Sequence, residues 1–241
     1  MLTAEMSLET EAHLWIARPG EIRDPDLVLA YDALLTADER AKVSRYRFEK
    51  DRHASLVTRA LVRTVLSRYA AVSPGGWRFV ANEFGRPEIQ EPREERSLRF
   101  NLSHTEGLVV CLVSRDREVG VDVEDRTRGG DLLDIADRFF SPFEVKALRA
   151  LPPEEQMDRF FLYWTLKESY IKARGMGLAL SLSAFSFDLD SPGSGIRILL
   201  EPSLDDDPGR WQFSALSYGR RHTIALGMEL KREREVKIVV R

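Results

Sequence analysis

Asp122 and Glu124 lie two residues apart in the segment Gly120–Glu124, with valine on either side of the aspartate. This composition is typical of a β-strand, and because strand side chains alternate between faces, both carboxylates point the same way. Two like charges on one strand face repel unless a cation or basic groups lie between them. Such oxygen ligands suit Mg²⁺, which takes the rest of its shell from water and substrate phosphates. The alternative is a solvated strand end without a ligand.

A third acid lies on a predicted helix, from Glu154 to Ala173, which Gly175 ends. At 100° per residue this helix has one apolar stripe, formed by Met157, Phe160, Phe161, Trp164 and Ile171. Glu168 falls inside the stripe, where a carboxylate is costly unless it is paired or bound to metal. Lys167 and Lys172 lie on opposite edges of the stripe, where each could reach an anion. We predict that Glu168 joins the acidic pair around a cation; the alternative is an internal Glu168–Lys172 pair.

Ser103 and His104 follow a predicted strand, Leu98–Leu102, and lie at its end. Adjacent residues of an extended chain point apart, so His104 cannot readily serve Ser103 as a base, and a serine-hydrolase role is disfavoured. We expect this pair to contact phosphate, with a structural role for His104 as the alternative. Arg86 stands between Gly85 and Pro87 in a turn, which alone is weak support for a phosphate contact.

Basic residues also gather on the first predicted helix, Asp51–Ala71. Arg52, Arg59 and Arg63 share the face opposite its apolar stripe, and Lys42 and Arg45 lie just upstream. Such a face is usually solvated, which is the alternative to ligand binding. No phosphate loop of the Gly-x-x-x-x-Gly-Lys-[Ser/Thr] type and no dinucleotide glycine fingerprint is present, so side chains and metal must hold any nucleotide.

The composition restricts the class of protein. The 241 residues are 43% hydrophobic and carry a net charge of −3, which indicates an ordinary globular chain and argues against a general nucleic-acid binder. The single cysteine, Cys111, lies in an apolar run and is expected in a core. No apolar run approaches the roughly 20 residues of a membrane span, and the N-terminus lacks the apolar region of a signal peptide. We therefore expect a cytoplasmic protein without membrane or nucleic-acid partners.

Helix and strand signals alternate, which predicts an α+β protein built from α/β lobes. Both halves show a helix, a glycine-containing break and an alternating strand in the same order. We place the lobe boundary near residue 116, between the predicted strands Leu108–Ser114 and Val119–Val123, giving lobes 1–116 and 117–241. The segments Ser191–Gly195 and Asp205–Gly209 are predicted to be hairpin loops.

Taken together, the motifs resemble the 4′-phosphopantetheinyl transferases of the two-lobed surfactin type. They occur in that family's order over roughly residues 40 to 190. The matching pieces are Phe84–Pro87, Asn101–Thr105, Gly120–Glu124, Arg138–Ser141 and Trp164–Lys172, the last of which is followed by Gly175–Leu178.

The resemblance implies a monomeric pseudo-dimer of two similar α/β lobes with the active site in the cleft between them. The implied substrates are coenzyme A and an apo acyl or peptidyl carrier protein, with Mg²⁺ (or Mn²⁺) as the cofactor. The implied metal ligands are Asp122, Glu124 and Glu168. The implied catalytic residues are Glu168, Lys172 and His104. The implied coenzyme A contacts are Lys42, Arg45, Arg59, Arg86, Ser103, His104, Asp122 and Lys172.

A carrier that presents an acidic helix needs a basic and apolar docking patch, and we predict one from Phe139, Phe140, Pro142 and Phe143 beside Arg138 and Lys146. Alternatively, either Phe139 or Phe140 belongs to the core. Two other functions remain open for the chain as a whole. A metal-dependent phosphohydrolase would use the same three acids and release phosphate without a carrier. A non-catalytic module would bind coenzyme A or a carrier and would not need the metal set.

Overall fold

The computed structural model describes residues 8–241 except 130–131, 192, 194 and 232–234, with only the backbone of Leu178. The chain divides into two compact units. The first comprises residues 1–81, 87–116 and 237–241, and the second comprises residues 82–86 and 117–236. The short segment 82–86 therefore belongs to the second unit, although the strands on either side of it belong to the first.

The first unit packs three helices against an antiparallel sheet. Its helices are α1 (Pro25–Ala33), α2 (Ala37–Ser44) and α3 (Glu49–Leu66). Its strands are β1 (Glu11–Ala17), β2 (Arg78–Ala81), β3 (Pro87–Glu91), β4 (Leu98–Thr105) and β5 (Leu108–Arg115). The main sheet has the order β1-β5-β4, and β2 pairs with β3 in a separate hairpin.

The second unit contains the remaining helices. They are α4 (Leu132–Phe139), α5 (Pro142–Arg149) and α6 (Pro153–Arg174). Its strands are β6 (Val119–Asp125), β7 (Phe185–Asp188), β8 (Arg197–Leu200), β9 (Trp211–Tyr218) and β10 (His222–Glu229). The main sheet has the order β6-β10-β9, and β7 pairs with β8. This mixture of helix and sheet confirms the predicted fold class.

The two units repeat one topology. In each, a first strand precedes the helices, a long helix precedes a two-stranded hairpin, and two further strands complete the main sheet. The first unit adds one strand, β11 (Lys237–Val240), which pairs in parallel with β1. The repeat of architecture expected from the order of sequence signals is therefore present in the strand topology.

The second unit is built around α6, which is buried on more sides than the predicted single stripe. Phe160, Phe161, Tyr163 and Tyr170 pack in its core, and the buried set also includes Lys167. β6 approaches this helix closely, because a Cβ atom at Gly120 would lie 2.0 Å from Ser169 O. The glycine thus brings the strand of the acidic pair against the helix of the third acid.

Several sequence expectations change in the structure. The segment Asp205–Gly209 is not a hairpin loop, because β8 and β9 belong to different sheets and the connection carries two short 3₁₀ turns. The other predicted loop does join the paired strands β7 and β8, but its residues 192 and 194 lie outside the described residues.

Cys111 is fully buried in the core of the first unit, as predicted. No helix in the described part of the chain is both long and apolar enough to span a bilayer.

Candidate active site

β6 positions Asp122 and Glu124 on one face of the second unit's sheet. Val121 and Val123, which alternate with them, are buried in the opposite direction, and this burial fixes the register of the strand. Asp122 is buried and Glu124 is half-buried. The acidic pair is therefore partly enclosed by the protein rather than placed at a solvated strand end.

α6 adds Glu168 and Lys172, one turn apart. The Lys172 Nζ lies 2.6 Å from Asp122 Oδ1, so an ion pair joins the helix to the strand. The side chain of Lys172 is 27% exposed while that of Asp122 is 7% exposed. Lys172 thus forms an ion pair across to β6 while part of its side chain stays exposed to solvent.

The three carboxylates influence one another electrostatically. Burial and the charge of Asp122 raise the pKa of Glu124 to about 7, and Arg128 and Lys172 partly oppose this shift. Burial and Asp122 likewise raise the pKa of Glu168, with Lys172 opposing. Within the described residues, no three acidic, histidine or cysteine side chains are close enough together to form a ready-made metal group.

A small apolar cavity of about 110 Å³ adjoins Glu124. It is lined by Glu124, Arg128, Leu132, Ile135, Phe160, Phe161 and Trp164. Trp164 and Glu124 line this cavity together, and the Trp164 indole N–H partly opposes the burial that raises the pKa of the Glu124 carboxylate. Sequence reasoning assigned Trp164 only to the apolar stripe; its position one turn before Glu168 was the available signal for a role beside the acids.

Lys167 does reach a carboxylate, as the sequence predicts, but its partner is a buried residue of the protein and not a ligand. Its side chain is fully buried and its Nζ lies 2.7 Å from Glu144 Oε2, whose side chain is also fully buried. The same ammonium donates to the carbonyl oxygens of Leu182 and Phe185 at 2.7 and 2.6 Å. Helix periodicity does not identify these partners, because they come from other elements of the second unit.

In the first unit, Ser103 and His104 lie within a strand rather than at its end. β4 continues to Thr105, and the pair forms register partners with Val110 and Val109 of β5. Ser103 is buried and His104 is exposed, so the two side chains point to opposite faces, as expected for neighbours on a strand. Their contact with phosphate stays a prediction.

The first unit also contains a basic cavity of about 320 Å³. It is lined by Lys42, Arg45, Tyr46 and Arg59, so three of the predicted basic residues lie together. Arg63 does not belong to this basic surface, which corrects the predicted helix face. It is fully buried, donates to the Trp77 carbonyl oxygen at 2.7 Å and forms an ion pair with Glu39.

Arg86 is occupied by protein partners. Its Nη2 lies 2.7 Å from Glu118 Oε2, its Nη1 donates to the Ala173 carbonyl oxygen at 3.0 Å, and its side chain is only 9% exposed. The phosphate contact expected of Arg86 stays a prediction that none of these contacts supports. Sequence reasoning missed Glu118, because the two residues are far apart in the chain and no local pattern links them.

The predicted docking patch divides between surface and core. Phe139 and Phe143 are 38% and 48% exposed, whereas Phe140 is buried among the aromatic residues of α6. Phe139 makes an edge-to-face contact with Trp164, with ring centroids 6.0 Å apart. The patch therefore keeps two of its aromatic residues, and Phe140 takes the alternative core role.

Comparison with known proteins shows the family of the chain. A family model for the 4′-phosphopantetheinyl transferase superfamily matches residues 118–227, and one for the N-terminal part of 4′-phosphopantetheinyl transferase matches residues 24–116. The 4′-phosphopantetheinyl transferase HetI of Nostoc sp. (strain PCC 7120) is 38% identical over 173 residues, which cover 70% of this chain and 71% of that protein. The chain belongs to the 4′-phosphopantetheinyl transferase superfamily, a class of transferases.

Other relatives bear similar names. A 4′-phosphopantetheinyl transferase of Bacillus subtilis is 34% identical over 68% of this chain and 69% of that protein. The 4′-phosphopantetheinyl transferase Sfp of Bacillus subtilis (strain 168) is 35% identical over 60% of this chain and 62% of that protein. The family resemblance inferred from the motifs is thereby confirmed.

Proposed function

We propose that the chain is a magnesium-dependent enzyme that transfers the 4′-phosphopantetheine of coenzyme A to the acceptor serine of an apo acyl or peptidyl carrier protein. The products are the holo carrier and 3′,5′-ADP. The observation that carries the proposal is the ion pair of Lys172 with Asp122, which places a cation among the carboxylates of Glu124 and Glu168. Positive charge next to a proton acceptor is what phosphoryl transfer requires of a protein.

The chemistry of the donor set suits a hard divalent cation, although its three carboxylates would have to move closer together to share one ion. Asp122, Glu124 and Glu168 offer carboxylate oxygens. Burial and the charge of Asp122 raise the pKa of both glutamates, so a cation among them would relieve repulsion. We assign these three residues as the ligands of Mg²⁺, with Mn²⁺ as a substitute. When bound, the ion would neutralise charge on the pyrophosphate of coenzyme A as the transferred phosphorus changes partner.

The protein residues then move one proton and neutralise one charge. The carrier serine oxygen forms a bond to the β-phosphorus of coenzyme A, and the bond from that phosphorus to the oxygen of 3′,5′-ADP breaks. Glu168 accepts the serine proton, and its raised pKa makes it a better acceptor than an ordinary glutamate. The Lys172 ammonium, one helical turn on, neutralises the leaving oxygen.

The first unit supplies groups for the phosphates of coenzyme A. The cavity lined by Lys42, Arg45 and Arg59 concentrates three positive charges around an open space, which suits a phosphate group. We assign Ser103 and His104 as further phosphate contacts, through a hydroxyl and an imidazole on strand β4. His104 is exposed and thus able to reach a ligand.

We assign carrier docking to the exposed part of the predicted patch. Phe139 and Phe143 provide apolar area, and the neighbouring Arg138 and Lys146 provide positive charge. An acidic carrier helix would meet both kinds of group there. Because Phe139 contacts Trp164, the patch lies next to a residue that lines the same cavity as Glu124.

Intact mass spectrometry tests the proposal directly. Apo carrier proteins of the fatty-acid, polyketide and peptide types are incubated with the protein, coenzyme A and Mg²⁺, with EDTA in a parallel sample. We expect the carrier to gain one phosphopantetheine, and the gain to vanish with EDTA and in Glu168→Gln but not in Glu155→Gln, an exposed glutamate of the same helix. Phosphate release without carrier modification would favour a phosphohydrolase. Coenzyme A binding without any transfer would favour a binding module.

A further inference from the structure

The segment Asn82–Arg86 joins β6, the strand that carries the acidic pair, to the C-terminal end of α6. Arg86 contacts Glu118, which immediately precedes β6, and the carbonyl oxygen of Ala173, next to Lys172 on α6. β6 carries Asp122 and Glu124, and α6 carries Glu168 and Lys172. One guanidinium therefore bridges the two elements on which the proposed active site is built.

The turn that presents Arg86 is itself rigidly built. Asn82 Oδ1 accepts hydrogen bonds from the backbone N–H groups of Phe84 and Arg86, both at 2.9 Å, and Gly85 adopts a φ of +87°. The other end of the Asn82 amide, Nδ2, donates to the carbonyl oxygen of Gly175 at 2.9 Å. The turn is thus fixed both internally and against the end of α6.

These contacts complete the cap of α6. Gly175 ends the helix in the left-handed conformation, and its N–H donates to the carbonyl oxygens of Ile171 and Lys172. Arg86 donates a hydrogen bond to the next carbonyl oxygen of the helix, that of Ala173. Its positive charge therefore lies at the negative end of the helix dipole. A side chain at Gly175 would meet Arg86 Nη1 at 3.1 Å, so the glycine also leaves room for the guanidinium.

The same contacts leave few hydrogen-bond donors of the Arg86 guanidinium available to a ligand. Two of its nitrogens bond to Glu118 and Ala173, the third, Nε, is buried, and the side chain is 9% exposed. Glu118 is an anion, so it would repel any phosphate brought to this guanidinium. These features point to a role inside the protein rather than in phosphate binding.

We propose that Arg86 is a positioning residue, which acts together with Glu118 and Asn82. It holds α6 against β6 and so sets the positions of Lys172 and Glu168 relative to Asp122. This inference rests on the proposed transferase function for its kinetic consequences, but the geometry it describes does not. Losing the bridge lets the last turn of α6 move relative to the strand. Catalysis falls because a displacement near 1 Å in such a site lowers rates by about 100-fold.

The test compares Arg86→Gln, Glu118→Gln and the double variant with Arg93→Gln, a matched change at an arginine that is 75% exposed. We measure coenzyme A affinity by calorimetry, kcat with an apo carrier, and hydrogen exchange over residues 169–175, all below the unfolding temperature of every variant. We expect a kcat loss of tenfold or more in both single variants, coenzyme A affinity within about twofold of the unchanged protein, and exchange at least tenfold faster.

The double variant should be no worse than the more affected single variant, because both changes remove one interaction. The proposal is overturned if Arg86→Gln weakens coenzyme A binding tenfold while Glu118→Gln leaves kcat unchanged or tightens binding, which is the outcome expected of a phosphate ligand. If no variant, including the unchanged protein, modifies a carrier, the transferase function fails. The exchange measurement still decides the bridge, since unchanged exchange in both single variants contradicts it.

Discussion

Lys167→Met should lower the free energy of unfolding of this protein by about 3–5 kcal/mol, the cost of breaking a buried ion pair by removing one partner. Lys167 and Glu144 are both fully buried, with Nζ and Oε2 2.7 Å apart. Burial lowers the pKa of Lys167, and the Glu144 carboxylate opposes that shift. Methionine keeps most of the side-chain volume, and the loss therefore reports the charge and its hydrogen bonds rather than a cavity.

The structure also shows which buried groups would lose the Lys167 ammonium as a partner in this variant. Without the ammonium, the carbonyl oxygens of Leu182 and Phe185 lose their donor. Glu144 stays buried without its cationic partner, although the backbone N–H groups of Ser141 and Phe187 still donate to it at 3.0 and 2.9 Å. Changing Glu144 to Gln as well removes the stranded charge, so the double variant should be more stable than Lys167→Met alone.

Urea unfolding followed by circular dichroism measures these differences. Lys146→Met, an exposed lysine one helix earlier, serves as the control and should stay within about 0.5 kcal/mol of the unchanged protein. A loss below about 1 kcal/mol in Lys167→Met would contradict the reasoning, as would a double variant less stable than Lys167→Met. Either result would mean that the pair is not desolvated in solution.

Three further predictions concern other parts of the fold. Gly120→Ala should cost more than about 3 kcal/mol or prevent folding, because the new Cβ would lie 2.0 Å from a backbone oxygen of α6, while Gly20→Ala, with nothing within 4 Å, should be neutral in thermal unfolding. The raised pKa of Glu124 means that the folded state prefers its protonated form, so in EDTA the protein should lose stability as pH rises from about 4.5 to about 7. Glu124→Gln should remove this loss, which we put at about 1–2 kcal/mol after solvent screening, and equal pH dependence of the two proteins would refute it. Hydrogen bonds from Lys237 and His13 lower the pKa of Glu11 to about 2. The ionised carboxylate therefore makes its full contribution to the stability of the fold above pH 4.5, and this contribution is lost as the pH falls toward 2. The melting temperature of Glu11→Gln should consequently fall less steeply with acid than that of the unchanged protein.

The local part of the site could be predicted from the sequence. Period-two alternation set Asp122 and Glu124 on one face of β6, and helical periodicity placed Glu168 and Lys172 one turn apart before Gly175. These relations depend only on residues within a few positions of one another. Strand and helix geometry therefore determines them before any tertiary contact forms.

The partners of the buried cations could not be predicted in this way. Arg63 pairs with Glu39 from another helix, and Arg86 donates to Ala173, 87 residues away. From the sequence alone, a charged residue on a helix is predicted to be exposed to solvent unless its distant partner is known. For the same reason nothing in Lys237–Val240 indicated that this strand would pair with β1.

Exposure separates the ion pair that we propose for catalysis from the buried pair that stabilises the fold. Lys167 and Glu144 are both 0% exposed, so neither can exchange its partner without opening the core. Lys172 is 27% exposed, so its ammonium can leave Asp122 when phosphate and a cation enter, at the cost of a partly solvated contact. Lys172→Met should consequently abolish transfer while shifting stability far less than Lys167→Met does. The two lysines lie five residues apart on one helix with the same side-chain chemistry, and their opposite roles follow from what surrounds each ammonium.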